Sequence, residues 1–515
     1  MDLGRRYNAA DTFIDAHRGV RDDRIAIRCQ GASVTYGELA ANVDRAGNAM
    51  RDLGIDMEDR VIIHCVDSPA FVYAFFGAIK IGAIPVPTNT LLVPNDLRYI
   101  VEDSRAVAII VSAPLLPKVL EIRKDLPRLR HVLVAGGDAS TPGVLSFDEA
   151  LRSAHAELSP ADTTPDDPCF WLYSSGTTGF PKGAVHLQHD MLFCADTYAA
   201  SVLGSTERDR HFTVSPLFHA YGLGNGVFFP FRVGASTVLK PERPTPELVY
   251  GLITTERPTI LFTAPTFYAA LLAYPAAGFA YDLSSLRFGV SAGEALPKPL
   301  FDAWKQRFGT EILDGIGSTE MLHIFISNFP GTARGGTSGT VVPGYKAKIV
   351  DDDGNELPAG ESGHLWVSGD SACAYYWNKH EKTKQTIRGE WLVTGDTYHL
   401  DPDGCYTYEG RSDDMLKVSG QWVSPAEVEA ALMGHPSVLE CAVVGAQDKD
   451  ELTKPKAYVT LKDGRSGDDR LAEELKAHVK GHITPYKYPR WIVFTAELPK
   501  NAAGKIQRYK LRDLG

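Results

Sequence analysis

The chain has few cysteines and no grouping of them. The seven (Cys29, Cys65, Cys169, Cys194, Cys373, Cys405 and Cys441) are scattered over 515 residues without a Cys-x-x-Cys pair. Their odd count and spacing argue against a disulfide framework and a zinc site, and fit a reducing, cytoplasmic setting. Long apolar runs are missing too, none approaching the ~20 residues that span a bilayer. The opening Met1-Asp-Leu-Gly-Arg-Arg6 leads into polar sequence without the apolar centre of a signal peptide, so no membrane partner is expected. Positive charge is in deficit, with 53 Lys and Arg against 64 Asp and Glu and a net charge of −11, which disfavours a nucleic-acid surface. The chain has no internal repeat, heptad pattern or low-complexity tract, so solenoids and coiled coils are excluded.

Hydrophobic residues make up 44% of the chain, and its length exceeds what one core holds, so two or more domains are expected. Over the first three hundred residues, apolar runs such as Arg60-Val-Ile-Ile-His-Cys65 and Val107-Ala-Ile-Ile-Val111 alternate with longer helix-like stretches. This is the rhythm of layered α/β units. Thr35-Tyr-Gly-Glu38 has the capping-box pattern and predicts a helix running towards Leu53, stopped by Gly54. From Ser338 the texture changes to short strands separated by turn signals such as Asp351-Asp-Asp-Gly354 and Asp401-Pro-Asp-Gly404. Beyond Gly410–Met415 the pattern restarts, with a helix expected over Pro425–Met433, strands over Glu440–Val444 and Pro455–Leu461, and a helix over Asp469–His482. The expected fold class is α/β. A large N-terminal domain (1–412) carries layered α/β sheets and a β-rich subdomain, and a small mobile α+β domain (413–515) follows.

The chemistry concentrates first in Tyr173-Ser-Ser-Gly-Thr-Thr-Gly-Phe-Pro-Lys-Gly183. Glycines let backbone N–H groups approach an anion, the hydroxyls of Ser174, Ser175, Thr177 and Thr178 donate to phosphate oxygens, and Lys182 brings a positive charge. A Walker A loop would place Ser or Thr directly after Gly-Lys, which this run does not, so a different nucleotide fold is implied. Further motifs follow in order: Pro216-Leu-Phe-His-Ala-Tyr-Gly-Leu-Gly224, Ser291-Ala-Gly-Glu-Ala-Leu-Pro297, Asp314-Gly-Ile-Gly-Ser-Thr-Glu320 and Trp391-Leu-Val-Thr-Gly-Asp396. Near the end stand Gly410-Arg-Ser-Asp-Asp-Met-Leu-Lys-Val-Ser-Gly420 and Leu498-Pro-Lys-Asn-Ala-Ala-Gly-Lys505.

In this ordered set, over nearly its full length, the chain resembles the adenylate-forming superfamily of acyl-CoA synthetases, adenylation domains and luciferases. Gly317-Ser-Thr-Glu-Met-Leu-His-Ile-Phe325 and His219-Ala-Tyr-Gly-Leu-Gly-Asn225 look most similar to benzoate and hydroxybenzoate CoA ligases. The resemblance implies ATP, Mg²⁺ and coenzyme A as co-substrates and cofactor. It makes Glu320 the metal ligand and puts Thr319 on the phosphates. Gly293, Glu294, Ala295, Asp314 and Gly315 lie around the adenine, and Asp396 and Arg411 meet the ribose. Lys505 is the adenylation lysine, carried by the small domain, and Asp413 is the hinge. Lys417 belongs to the thioester-forming face, and Gly420 to the wall of the pantetheine tunnel. Here Asn501-Ala-Ala stands where many relatives have a Thr-rich segment.

The same resemblance places the acid among His219, Ala220, Tyr221, Gly222, Ala292, Gly317, His323 and Ile324. Phe218, Tyr221 and Leu223 suit a flat ring, while Gly222, Gly224 and Gly226 narrow the room for a long chain. His323 either hydrogen-bonds a ring hydroxyl or packs on the ring face. The reading is an aryl-CoA ligase taking a small aryl carboxylic acid, ATP and CoA, with a homodimer left open. Three alternatives stand beside it: a stand-alone enzyme that loads a carrier protein, a silent nucleotide-binding module, and a luciferase-like oxygenase.

Overall fold

The computed structural model of the chain describes residues 3–137, 139–176, 179–275, 281–412, 414–418, 421–448, 453–462, 467–483, 487–500 and 506–512. The α/β expectation holds for the large N-terminal part, and a small α+β part follows. Among the described residues the main sheet runs, in spatial order, Thr340–Val341, Ile324–Ser327, Ile312–Gly317, Phe288–Ser291, Ile260–Thr263, Arg210–Thr213, Ser236–Leu239, Ile25–Cys29 and Ala32–Thr35. Its centre is parallel. Arg210–Thr213 has the strand that follows it in sequence on one side and the next on the other. That reversal of strand order opens a crevice at the carboxyl ends of the strands, where ligands bind in open α/β sheets.

A second parallel sheet holds Ile84–Pro87, Arg60–His64, Ala108–Ser112, His131–Ala135 and Leu145–Ser146. The predicted helix spans Tyr36–Asp52, and Thr35 and Glu38 form the reciprocal capping box. It packs against Pro69–Lys80 so closely that a Cβ on Gly77 would lie 2.9 Å from the Gly47 nitrogen. The β-rich subdomain is antiparallel, with Lys346–Val350, Ser362–Ser368, Trp391–Leu400 and Ile387–Arg388 in a row and Tyr406–Arg411 paired onto Trp391–Leu400.

In the C-terminal part the helices Pro425–Met433 and Asp469–His482 match the sequence expectation. Its strands are longer than expected, Val438–Gln447 and Thr453–Leu461, because they pair with each other antiparallel beyond their apolar cores. Ladder hydrogen bonds extend a strand through polar residues that composition alone would leave in loops. No helix among the described residues is long and apolar enough to cross a membrane.

Candidate active site

The Ser/Thr/Gly run is the tip of a β-hairpin. Pro168–Gly176 and Gly179–Leu187 pair antiparallel and set Ser174 opposite Lys182. Its base is clamped from outside: the Tyr173 hydroxyl donates to Asp103 at 2.7 Å, and the Tyr99 hydroxyl donates to the Pro181 carbonyl at 3.2 Å. Thr177 and Thr178 lie outside the described residues, and the same holds for the Ser175 side chain.

Glu320 comes to this hairpin from a distant, irregular segment between the strands Ile312–Gly317 and Ile324–Ser327. Its Oε1 accepts from the Ser174 hydroxyl at 3.2 Å and from the Tyr376 hydroxyl at 2.6 Å. The Lys182 ammonium sits 4.6 Å from the centre of the Tyr376 ring. Burial lowers the Lys182 pKa, and the Glu320 carboxylate pulls it back up. Tyr376 thus touches both charged groups, yet it belongs to no motif, and nothing in the sequence around Ala374-Tyr-Tyr-Trp377 marks it. The carboxylate and neighbouring hydroxyls form an all-oxygen donor set of the kind Mg²⁺ prefers.

Asp396 and Arg411 are register partners on adjacent antiparallel strands, and Arg411 Nη1 donates to Asp396 Oδ1 and to the Thr394 carbonyl, both at 3.0 Å. Gly395, just before Asp396, has φ +74°, and a Cβ there would lie 2.7 Å from Arg411 Nη2. Only glycine leaves the guanidinium in place at this turn.

Gly293, Glu294 and Ala295 follow the central strand Phe288–Ser291, and Asp314 lies on the next strand, opposite Ser291. The Leu296 N–H donates to Asp314 Oδ2 at 3.4 Å. Burial pushes the Asp314 carboxyl up to about 8, with hydrogen bonds from Ser291 and backbone N–H groups pulling the other way. Because the folded value lies above that of a solvated carboxyl, stability is fully present below about pH 4 and is lost as pH rises towards 8. Asp314→Asn removes this cost. From pH 5 to 7 in urea titrations without ligand, the variant is expected to gain on the wild type by about 1.4 kcal/mol per pH unit. A pH-independent difference would refute the assignment.

Residues that the resemblance assigned to the acid lie close together in the fold. His219 holds the N-cap position of the helical turn Ala220–Leu223 without a side-chain capping bond, and the rings of Tyr221 and His323 lie 5.6 Å apart. His323 is 2% exposed, and its other ring neighbours are Phe229 at 4.4 Å and Tyr198 at 5.4 Å. Neither ring nitrogen has a hydrogen-bond partner of ordinary geometry. Burial lowers its pKa to about 3, against a weaker pull from the backbone of Tyr221, so the imidazole is neutral. Tyr198 and Phe229 were not legible in the sequence, because both sit inside helical stretches that read as ordinary core.

The glycines expected to narrow the pocket work mainly through packing. A Cβ on Gly222 would meet the Pro216 carbonyl at 2.1 Å, and one on Gly226 would meet Leu217 at 2.7 Å. Gly224 is the one that fits the acid wall, since its Cβ would lie 2.4 Å from His323 Cδ2. On the opposite side Gly317 lets its strand approach the His323 carbonyl, which a Cβ would meet at 2.5 Å. Ala292 and Ile324 are buried alongside.

The small domain meets this site through its C-terminal end. The Ile506 N–H donates to Glu294 Oε1 at 3.4 Å, and Arg508 makes a forked pair with Glu429 at 2.8 and 3.0 Å. The Ser424 hydroxyl donates to the Glu409 carbonyl. Lys505, Asp413 and Gly420 lie outside the described residues; Lys417 lies on the strand Leu416–Val418, with its side chain outside the description.

A family model described as "AMP-binding enzyme" matches residues 14–377, and one described as "AMP-binding enzyme C-terminal domain" matches 427–505. A benzoate–CoA ligase of Thauera aromatica is 49% identical over 99% of this chain and 97% of its own. A 4-hydroxybenzoate–CoA/benzoate–CoA ligase of Rhodopseudomonas palustris is 45% identical over 99% of this chain and 94% of its own. Among solved structures, the anthranilate CoA ligase AuaEII in complex with anthranoyl-AMP superposes with a TM-score of 0.97 at 44% identity, covering 100% of this chain and 98% of that one. A benzoate CoA ligase from Burkholderia xenovorans LB400 superposes with a TM-score of 0.91 at 43% identity, covering 98% of this chain and 100% of that one.

Proposed function

The chain belongs to the AMP-binding enzyme family, and from that premise we propose that it is an ATP-dependent aryl-CoA ligase for benzoate or a hydroxybenzoate. It makes the acyl-adenylate and pyrophosphate first, then the CoA thioester and AMP. The observation that carries the reading is the meeting of Glu320, Ser174, Tyr376 and Lys182 beside an aromatic cage around His323. Full-length likeness to aryl-CoA ligases supports CoA over a carrier protein as acceptor.

The first step sets an anionic carboxylate against a polyanionic triphosphate, and catalysis consists of positioning and offsetting that repulsion. The hairpin tip and Lys182 hold the β- and γ-phosphates. Magnesium, held by Glu320, would neutralise phosphate charge. Asp396 accepts from the ribose hydroxyls, and the backbone of Gly293–Ala295 lies along the adenine. The acid lies ring first against Tyr221 and His323, so that its carboxylate faces the α-phosphate near His219. Lys505 bridges the two reacting groups and offsets the charge that builds on the α-phosphate. Rotation of residues 413–515 about Asp413 then exchanges Lys505 for the face carrying Lys417. The CoA thiol passes Gly420 and attacks the acyl carbon, releasing AMP.

His323 accounts for a preference among aryl acids. Its unpartnered nitrogens sit within the ring cage, where a hydroxyl on the aryl ring can supply the missing hydrogen bond. The test is pyrophosphate release with benzoate, its hydroxy and amino derivatives, and octanoate, each with and without CoA. CoA-dependent turnover confined to the aryl acids is expected. Release indifferent to CoA would move the acceptor to a carrier protein.

A further inference from the structure

We propose that the buried His186–Asp190 pair is the positioning device for the turn that carries Glu320; the inference rests on the ligase reading above. His186 lies on the same strand as Lys182, four residues on, and both His186 and Asp190 are fully buried. His186 Nε2 lies 2.8 Å from the Thr319 carbonyl oxygen. That oxygen can only accept, so Nε2 carries the hydrogen. The other ring nitrogen, Nδ1, lies 2.7 Å from Asp190 Oδ2, so a second hydrogen lies in this contact, shared between ring and carboxyl, and Oδ2 accepts as well from the Leu187 N–H at 3.1 Å. Asp190 therefore fixes the ring, and the ring fixes the peptide that joins Thr319 to Glu320.

The next two carbonyls are caught as well. The Cys373 N–H donates to the Glu320 carbonyl at 2.7 Å, and the Ser371 hydroxyl donates to the Met321 carbonyl at 2.9 Å. Within the turn itself the Leu322 N–H donates to the same Thr319 carbonyl at 3.1 Å, the Met321 N–H to the Ser318 hydroxyl at 3.1 Å and the His323 N–H to the Met321 carbonyl at 2.8 Å, and Leu322 takes φ +64°. The outside donors add to these internal bonds and set where the turn sits against the rest of the fold. His186 differs from the other two in coming from the phosphate-binding hairpin. It couples the position of Lys182 to that of the Glu320 carboxylate, much as an outer-shell partner orients a metal ligand.

The test measures equilibrium binding on the full chain. In His186→Ala, Mg·ATP is expected to bind about 10-fold or more weakly. ATP in EDTA and a non-hydrolysable benzoyl-sulfamoyl adenosine should bind as in the wild type. Conversion of supplied benzoyl-AMP to the thioester should also persist. His186→Gln can place an amide nitrogen where Nε2 stands and should restore Mg·ATP binding, whereas His186→Asn cannot reach and should not; this pair carries the test if the alanine variant does not fold. Equal loss of all three ligands, or Gln no better than Asn, overturns the inference and leaves His186 as a packing residue. Failure of the wild type itself to bind the sulfamoyl adenosine would instead count against the ligase reading.

Discussion

Replacing Glu320 by Gln is expected to slow ATP–pyrophosphate exchange by about 10²–10³-fold, the size of effect seen when one charge-stabilising group is removed from a preorganised site. The Tyr376 and Ser174 hydroxyls can still donate to the amide oxygen, so the turn keeps its shape and the loss reports on charge. The variant also takes a negative neighbour away from Lys182, whose pKa is already lowered by burial, so the loss should deepen as pH rises. Tyr376→Phe leaves the charge and removes one donor, and a loss of about 10-fold or less is expected. Exchange within a few-fold of wild type in Glu320→Gln would remove Glu320 from the metal site.

Lys505→Ala should produce the other large effect, confined to one half-reaction. Acyl-adenylate formation is expected to fall by about 10²–10³-fold, because the lysine offsets charge at the α-phosphate only in that step. Conversion of supplied benzoyl-AMP and CoA to the thioester should stay within about 10-fold of wild type, as the proposed exchange of Lys505 for Lys417 between the half-reactions requires. Lys505 directly precedes Ile506, which reaches the Glu294 side chain of the adenine-side loop. Parallel loss of both half-reactions would sink the division of labour between Lys505 and Lys417.

Much of the site could be read from the chain because its groups sit in contiguous motifs whose local chemistry is nearly complete. Asp396 and Arg411 fall on register partners, and Gly395 beside Asp396 takes a positive φ that favours glycine. The capping box at Thr35 and the helix Pro425–Met433 are equally local, set by side chains within one turn of the backbone they cap. The residues that escaped are those whose role exists only through a distant partner. Tyr376 is an ordinary strand tyrosine until it meets Glu320, 56 residues away in the chain, and His186 an ordinary buried histidine until it meets Thr319, 133 residues away.

The sequence by itself determined the α/β class, the capped helices and the glycine- and hydroxyl-rich run that reads as a phosphate loop, because these follow from periodicity, turn chemistry and residue type over short spans. Tertiary structure alone decided how the Glu320 turn is held, which rings surround His323 and which glycines line the pocket rather than permit close packing. Those features depend on side chains and backbones brought together by the two sheets, and contact at 3 Å between segments a hundred residues apart leaves no periodic trace in the chain.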